Sequence, residues 1–142
     1  QKNGVDVGAY YDSQPAMCYC GIFSLETRTP TKTFYALKAW NELYRLGREA
    51  ACASDCTDLR ACAAFGPNDA AILISSYRAD DPWLALSIQG FASENGVLAT
   101  VLATDRDHTF EVISEERFFG GTVRIQRKTD AHTMLLIRLK KL

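Results

Sequence analysis

The chain has 142 residues, 47% of them apolar and 23% charged, an ordinary balance for a globular fold with one sizeable core. Sixteen basic against seventeen acidic residues leave a net charge of −1, and the only basic run is Lys140-Lys141, so the charge pattern excludes nucleic acid and anionic membrane as expected partners. No apolar run reaches the ~18–20 residues that span a bilayer.

The first residue is Gln1 rather than Met, which reads as a processed or truncated product, so the lack of a leader carries no information on location. Residues 1–12 contain Gly4 and Gly8 and fit either a strand end or a single helical turn. Residues 15–23, Pro-Ala-Met-Cys-Tyr-Cys-Gly-Ile-Phe, are almost continuously apolar, the pattern of a strand buried on both faces in a parallel sheet. A loop over 24–29 then leads to the strongest local signal in the chain. Thr29 suits an N-cap, Pro30 the first helical position and Gly47 a left-handed C-terminal cap, which predicts a helix over 29–47. On a helical wheel Tyr35, Ala36, Leu37, Ala39, Trp40, Leu43, Tyr44 and Leu46 cover an arc of roughly 200°, and Lys38, Asn41, Glu42 and Arg45 fill the remainder. One neighbour needs an apolar face of only about 100° or a little more. The helix is therefore expected to lie between two partners.

From Arg48 onward the pattern changes. Turn signals recur at Gly66-Pro67-Asn68-Asp69, Asp80-Asp81-Pro82, Ser93-Glu94-Asn95-Gly96, Asp105-Arg106-Asp107, Gly120-Gly121 and Thr129-Asp130. Between them apolar residues alternate: Leu84, Leu86, Ile88; Val97, Ala99, Val101, Ala103; Val123, Ile125 opposite Arg124, Gln126; and Leu135, Ile137, Leu139 opposite a wetter Leu136, Arg138, Lys140. Strands are predicted near 50–54, 59–65, 70–77, 83–90, 97–104, 109–114, 121–127 and 133–140, with Gly120-Gly121 as a hairpin. The predicted fold is mainly β, an antiparallel sandwich of seven or eight strands preceded by one strand-loop-helix unit, with parts 1–47 and 48–142.

Residues that carry chemistry are sparse. Glycoside hydrolysis needs two carboxyl groups facing one bond, yet Asp69, Asp80, Asp81, Glu94, Asp105, Asp107 and Asp130 sit at turns, Glu42 falls on the polar helix sector, and Glu111, Glu115 and Glu116 point outward or flank a turn. All read as solvated. Only Asp12 and Glu26 occupy loops where a parallel-sheet enzyme places its ligand. There is no Gly-x-Ser-x-Gly, and His108 and His132 read as turn residues. Asp105-Arg106-Asp107 lacks the later glycine and glutamate of a calcium loop. The five cysteines, Cys18, Cys20, Cys52, Cys56 and Cys62, match no zinc spacing and read as small buried thiols. No metal and no cofactor is expected. Trp83 and the Phe118-Phe119 pair are the aromatic residues able to stack on a sugar if exposed, although aromatics in strands usually belong to the core.

Tyr10-Tyr11-Asp12-Ser13-Gln14-Pro15, Gly21-Ile22-Phe23, and Phe34-Tyr35-Ala36-Leu37-Lys38-Ala39-Trp40-Asn41-Glu42-Leu43-Tyr44-Arg45-Leu46-Gly47 after Pro30 together carry a resemblance. They resemble the end of the catalytic barrel in bacterial glycoside hydrolases of the xylosidase-like (β/α)8 clan, where the last strand, a loop and a final helix lead into a small C-terminal β-sandwich. Residues 134–140 look like the closing strand of that sandwich. The resemblance implies a piece of a glycoside hydrolase whose two catalytic glutamates precede Gln1, so this chain carries no catalytic residue. It implies the parent's catalytic barrel as partner, an oligosaccharide as a further one, and a secreted or periplasmic parent. Where relatives have Trp-Asn-Gly after the buried strand, this chain has Tyr19-Cys20-Gly21. Tyr19 and Glu26 are then the candidate substrate contacts. A carbohydrate-binding module and a structural or interaction domain are the alternatives.

Overall fold

The structure, a computed structural model, describes residues 8–10, 21–77 and 83–142. The helix α1, Lys32–Leu46, stops where expected: Gly47 adopts a left-handed φ of 80° and donates its N–H to the Tyr44 carbonyl, a conformation glycine reaches without a Cβ penalty. Its start differs from the sequence expectation. Thr31, not Thr29, is the N-cap residue, because Pro30 is held in an antiparallel bridge with Phe23. Thr31 donates its N–H to Ile22 O at 2.9 Å and its hydroxyl to Gly21 O at 2.9 Å. These bonds keep 30 and 31 extended and delay the first helical turn to Lys32. The buried strand expected over 15–23 lies mostly outside the described residues.

Eight strands follow: β1 Arg48–Ala50, β2 Leu59–Phe65, β3 Asp69–Ser76, β4 Trp83–Gln89, β5 Val97–Thr104, β6 Thr109–Phe118, β7 Thr122–Lys128 and β8 Thr133–Lys141. All pair antiparallel, in a six-stranded sheet ordered β1-β2-β3-β8-β5-β6 and a two-stranded sheet β4-β7. The β-sandwich expected from the sequence is what forms, with two shifts: the first strand lies at 48–50 instead of 50–54, and β6 continues to Phe118. Gly120-Gly121 is not a hairpin. β6 pairs with β5 and β7 with β4, so this glycine pair carries the chain from one sheet to the other.

The central strands of the six-stranded sheet, β2, β3, β8 and β5, are buried on both faces. Toward β4-β7, residues such as Ile72, Ile74, Val101 and Ile137 pack with Leu84, Val123 and Ile125. On the opposite face Cys62, Ala71, Leu73, Leu102 and Leu136 pack with Ala39 and Leu43 of α1. Leu136, expected on a wetter face, is 0% exposed because the helix lies over it. Two-sided burial also explains why 70–74 is an unbroken apolar run, whereas β7 alternates Val123 and Ile125 with outward Arg124 and Gln126.

Two bulges in β6 shape the helix side. The register with β5 slips between Val101 and Leu102 and again between Ala103 and Thr104, leaving Ile113 and Phe110 without opposing partners. Phe110 takes a left-handed φ of 60°. Its ring stacks on Tyr35 at 5.4 Å between centroids and lies under Lys38 Nζ at 5.1 Å and Arg138 Cζ at 5.7 Å. Glu42, read from sequence as solvated, instead accepts two hydrogen bonds from Arg138, at 2.7 Å from Nε and 2.5 Å from Nη2. A fork of this kind fixes the rotation of α1 about its axis as well as its position.

The turn between β5 and β6 provides a third attachment: Lys32 Nζ donates to the carbonyls of Asp105 and Arg106. Within the turn Asp105 Oδ1 accepts from the backbone N–H groups of Asp107 and His108 at 2.9 and 2.8 Å, and its carboxylate meets His108 Nδ1. Burial by itself raises the Asp105 pKa, but the bonds from His108 and Asp107 outweigh it and bring it below the usual carboxylate value. A carboxyl group whose folded pKa is depressed stabilises the fold above its unfolded pKa, about 3.9, and that stability is lost as pH falls through the lower folded value. Asp105→Asn is expected to cost about 1 kcal/mol at pH 7 and to flatten the acid side of the stability curve below about pH 4, measured by urea unfolding at stepped pH.

Candidate docking face

The broad apolar surface of α1 divides into two stripes. Ala39 and Leu43 are buried against the sheet, with Leu46 packed beside them. Leu37, Trp40 and Tyr44, spaced i, i+3 and i+7, form a neighbouring stripe that is 40, 47 and 83% exposed. One side of the helix therefore has its partner within this chain, and the other is open.

Beside Trp40 the open stripe continues into a cleft of about 540 Å³ that reaches β2, β3 and the start of β8 through Leu59, Cys62, Leu73 and Met134. The lining includes two exposed charges, Glu49 and Arg60, but the floor is apolar. Burial, with a smaller contribution from Cys52, pushes the Cys62 thiol up to about 11. The Cys62 thiol therefore stays protonated at neutral pH. The apolar floor suits apolar side chains.

The residues singled out from sequence do not converge on this cleft. Glu26 is exposed in a turn over 25–27, closed by the bonds Ser24 N–H to Thr29 O and Arg28 N–H to Ser24 O, each 2.9 Å. It is not among the residues that line the cleft. Tyr19 and Asp12 lie outside the described residues. Glu94, Asp107, Asp130, Glu111, Glu115 and Glu116 are exposed. Among the described residues no group of three or more His, Cys, Asp or Glu is placed to hold a metal ion, and no helix is long and apolar enough to cross a membrane. The aromatic residues split. Phe91 is buried, whereas Trp83 and Phe119 stand 64 and 72% exposed. Phe110 and the Glu42–Arg138 fork, which fix α1 to the sheet, carried no sequence signal because their partners are distant along the chain.

The sequence matches no protein-family model and no curated protein. The fold is similar to parts of solved structures. A glucosidase from Croceicoccus marinus aligns with a TM-score of 0.74 and 18% identity, over 86% of this chain and 33% of that one. A GH39 enzyme from Xanthomonas axonopodis pv. citri aligns with a TM-score of 0.68 and 14% identity, over 86% and 32%. A GH30 endoxylanase from Clostridium papyrosolvens aligns with a TM-score of 0.64 and 16% identity, over 83% and 30%. This chain thus spans about a third of the length of these three structures. At such identities the likeness is one of fold.

Proposed function

We propose that this chain is the C-terminal β-sandwich region of a glycoside hydrolase, with the last helix of the catalytic barrel at its front, and that it stabilises the barrel by packing on it without taking part in catalysis. The observation that carries this reading is the second apolar stripe of α1. Leu37, Trp40 and Tyr44 face outward at helical spacing from a helix already fixed to its own sheet, and exposed apolar surface of this kind marks an interface. Glycoside hydrolase chains three times as long, of which the matching third has this fold, supply a partner of the right kind. The barrel-end motif over residues 34–47 supports the same placement, with the catalytic glutamates on the missing two-thirds.

The test compares Trp40→Glu in this chain and in the longer polypeptide encoded by the upstream reading frame. In this chain the indole is already half-exposed and melting should barely change. In the longer polypeptide the substitution is expected to cost about 2 kcal/mol, the value of burying one large apolar side chain, and to shorten the half-life of glycosidase activity on heating. Equal effects in both contexts would reject the interface.

A further inference from the structure

The outer face of the β4-β7 sheet suggests a site that goes beyond this reading and does not depend on it. Its inner face is anchored in the core by Leu84, Val123 and Ile125, which turns the other face outward. The register Trp83↔Lys128, Ala85↔Gln126, Ser87↔Arg124, Gln89↔Thr122 places eight side chains there in two rows. Trp83 heads one row, 64% exposed, and its indole packs on no other ring among the described residues. Ala85 and Ser87, next in that row, are small and exposed, with Gln126 paired to Ala85 and Gln89 at the far end of the row. Among the described residues of this face, Arg124 is the exposed cation on which the reading rests. The Arg124 guanidinium makes no ion pair among the described residues.

We infer that this face binds a carboxylated polysaccharide. A bare indole offers an apolar plane to the axial C–H face of a sugar ring, and the amides and hydroxyls alongside match ring hydroxyls. Arg124 lies four residues along from the Trp83 level, about 13 Å, and presents its fork to a carboxylate on a later sugar of the same extended chain. The charge of Arg124 selects an acidic polymer over a neutral one. The face also lies on the opposite side of the six-stranded sheet from α1, so docking through Leu37, Trp40 and Tyr44 leaves it open.

Affinity electrophoresis of the full chain in gels containing polygalacturonate, neutral arabinan or polyglutamate tests this. Migration should be retarded by polygalacturonate, less so with added salt, and little by the other two. Trp83→Ala and Arg124→Ala change exposed side chains and should leave the melting curve in place, while each weakens retardation about tenfold or more. No retardation by polygalacturonate, or retardation that survives both substitutions, overturns the proposal. So does equal retardation by polyglutamate, which would mean charge alone, or by arabinan, which would mean Arg124 is idle. Trp40→Glu should bind polygalacturonate as the unaltered chain does, so this result is independent of the barrel interface.

Discussion

Leu136→Ala is expected to destabilise the fold by about 3–5 kcal/mol and to lower its melting temperature by roughly 10 °C or more. Leu136 sits in β8, flanked on one side by β3 and on the other by β5, and its side chain is fully enclosed beneath Ala39 and Leu43. Truncation opens a cavity between two layers. The sheet above is pinned by hydrogen bonds on both sides, and the helix is held by the Glu42–Arg138 fork and the Tyr35–Phe110 stack. Neither layer is free to collapse into the space, so the cost falls at the high end of the range for such changes. Leu136→Met, which keeps the volume, should cost less than about 1.5 kcal/mol. Calorimetry of the three proteins checks both values, and an alanine variant within 1 kcal/mol of the parent would mean that α1 does not cover this position in solution.

Gly96→Ala is expected to cost about 2–4 kcal/mol for a different reason. Gly96 enters β5 with φ of 95°, and an added Cβ would lie 3.0 Å from the Phe118 carbonyl oxygen and 3.0 Å from the Phe119 ring. The exposed ring can swing away. The carbonyl belongs to the end of β6 and is not free to move. Gly96 also accepts a hydrogen bond from Leu142 N–H at 3.0 Å, while Ser93 Oγ donates to Leu142 O at 3.0 Å, so strain at this turn reaches the C-terminal residue. Gly90 is the control. Its φ is 76°, but a Cβ there meets nothing within 4 Å, so Gly90→Ala carries only the backbone penalty of about 1–2 kcal/mol. Chemical denaturation of the pair separates conformational strain from steric conflict.

Strand positions were legible because their cause is local. Turn residues bracket alternating apolar residues, and seven of the eight strands fall close to where that pattern puts them. The helix end was legible for the same reason, since Gly47 needs nothing distant to adopt its φ. What escaped the sequence depends on long-range packing. Pro30 looks like a first helical residue until Phe23 pairs with it. Leu136 looks half-wet because alternation cannot reveal that a helix covers the second face. Glu42 finds Arg138 at a sequence separation of 96 residues. The width of the apolar arc on α1 was visible, and so was the demand for a second neighbour that follows from it, but nothing in composition distinguishes Trp40, which is open, from Leu43, which is enclosed. Of the two proposed sugar contacts, Glu26 was readable as a loop residue and is exposed, while Tyr19 lies outside the described residues.

The doubled bulge of β6 also bears on how copies of this chain behave at high concentration. β6 is a ten-residue border strand of its sheet, long enough to template another chain. The irregularities at Phe110 and Ile113 break its ladder into short pieces, and Glu111, Glu115, Glu116 and Arg117 crowd what remains with charge. A second molecule approaching this rim finds no uninterrupted row of amides to zip onto. Fibril growth along that border is disfavoured by the same kinks that turn an aromatic ring toward the helix.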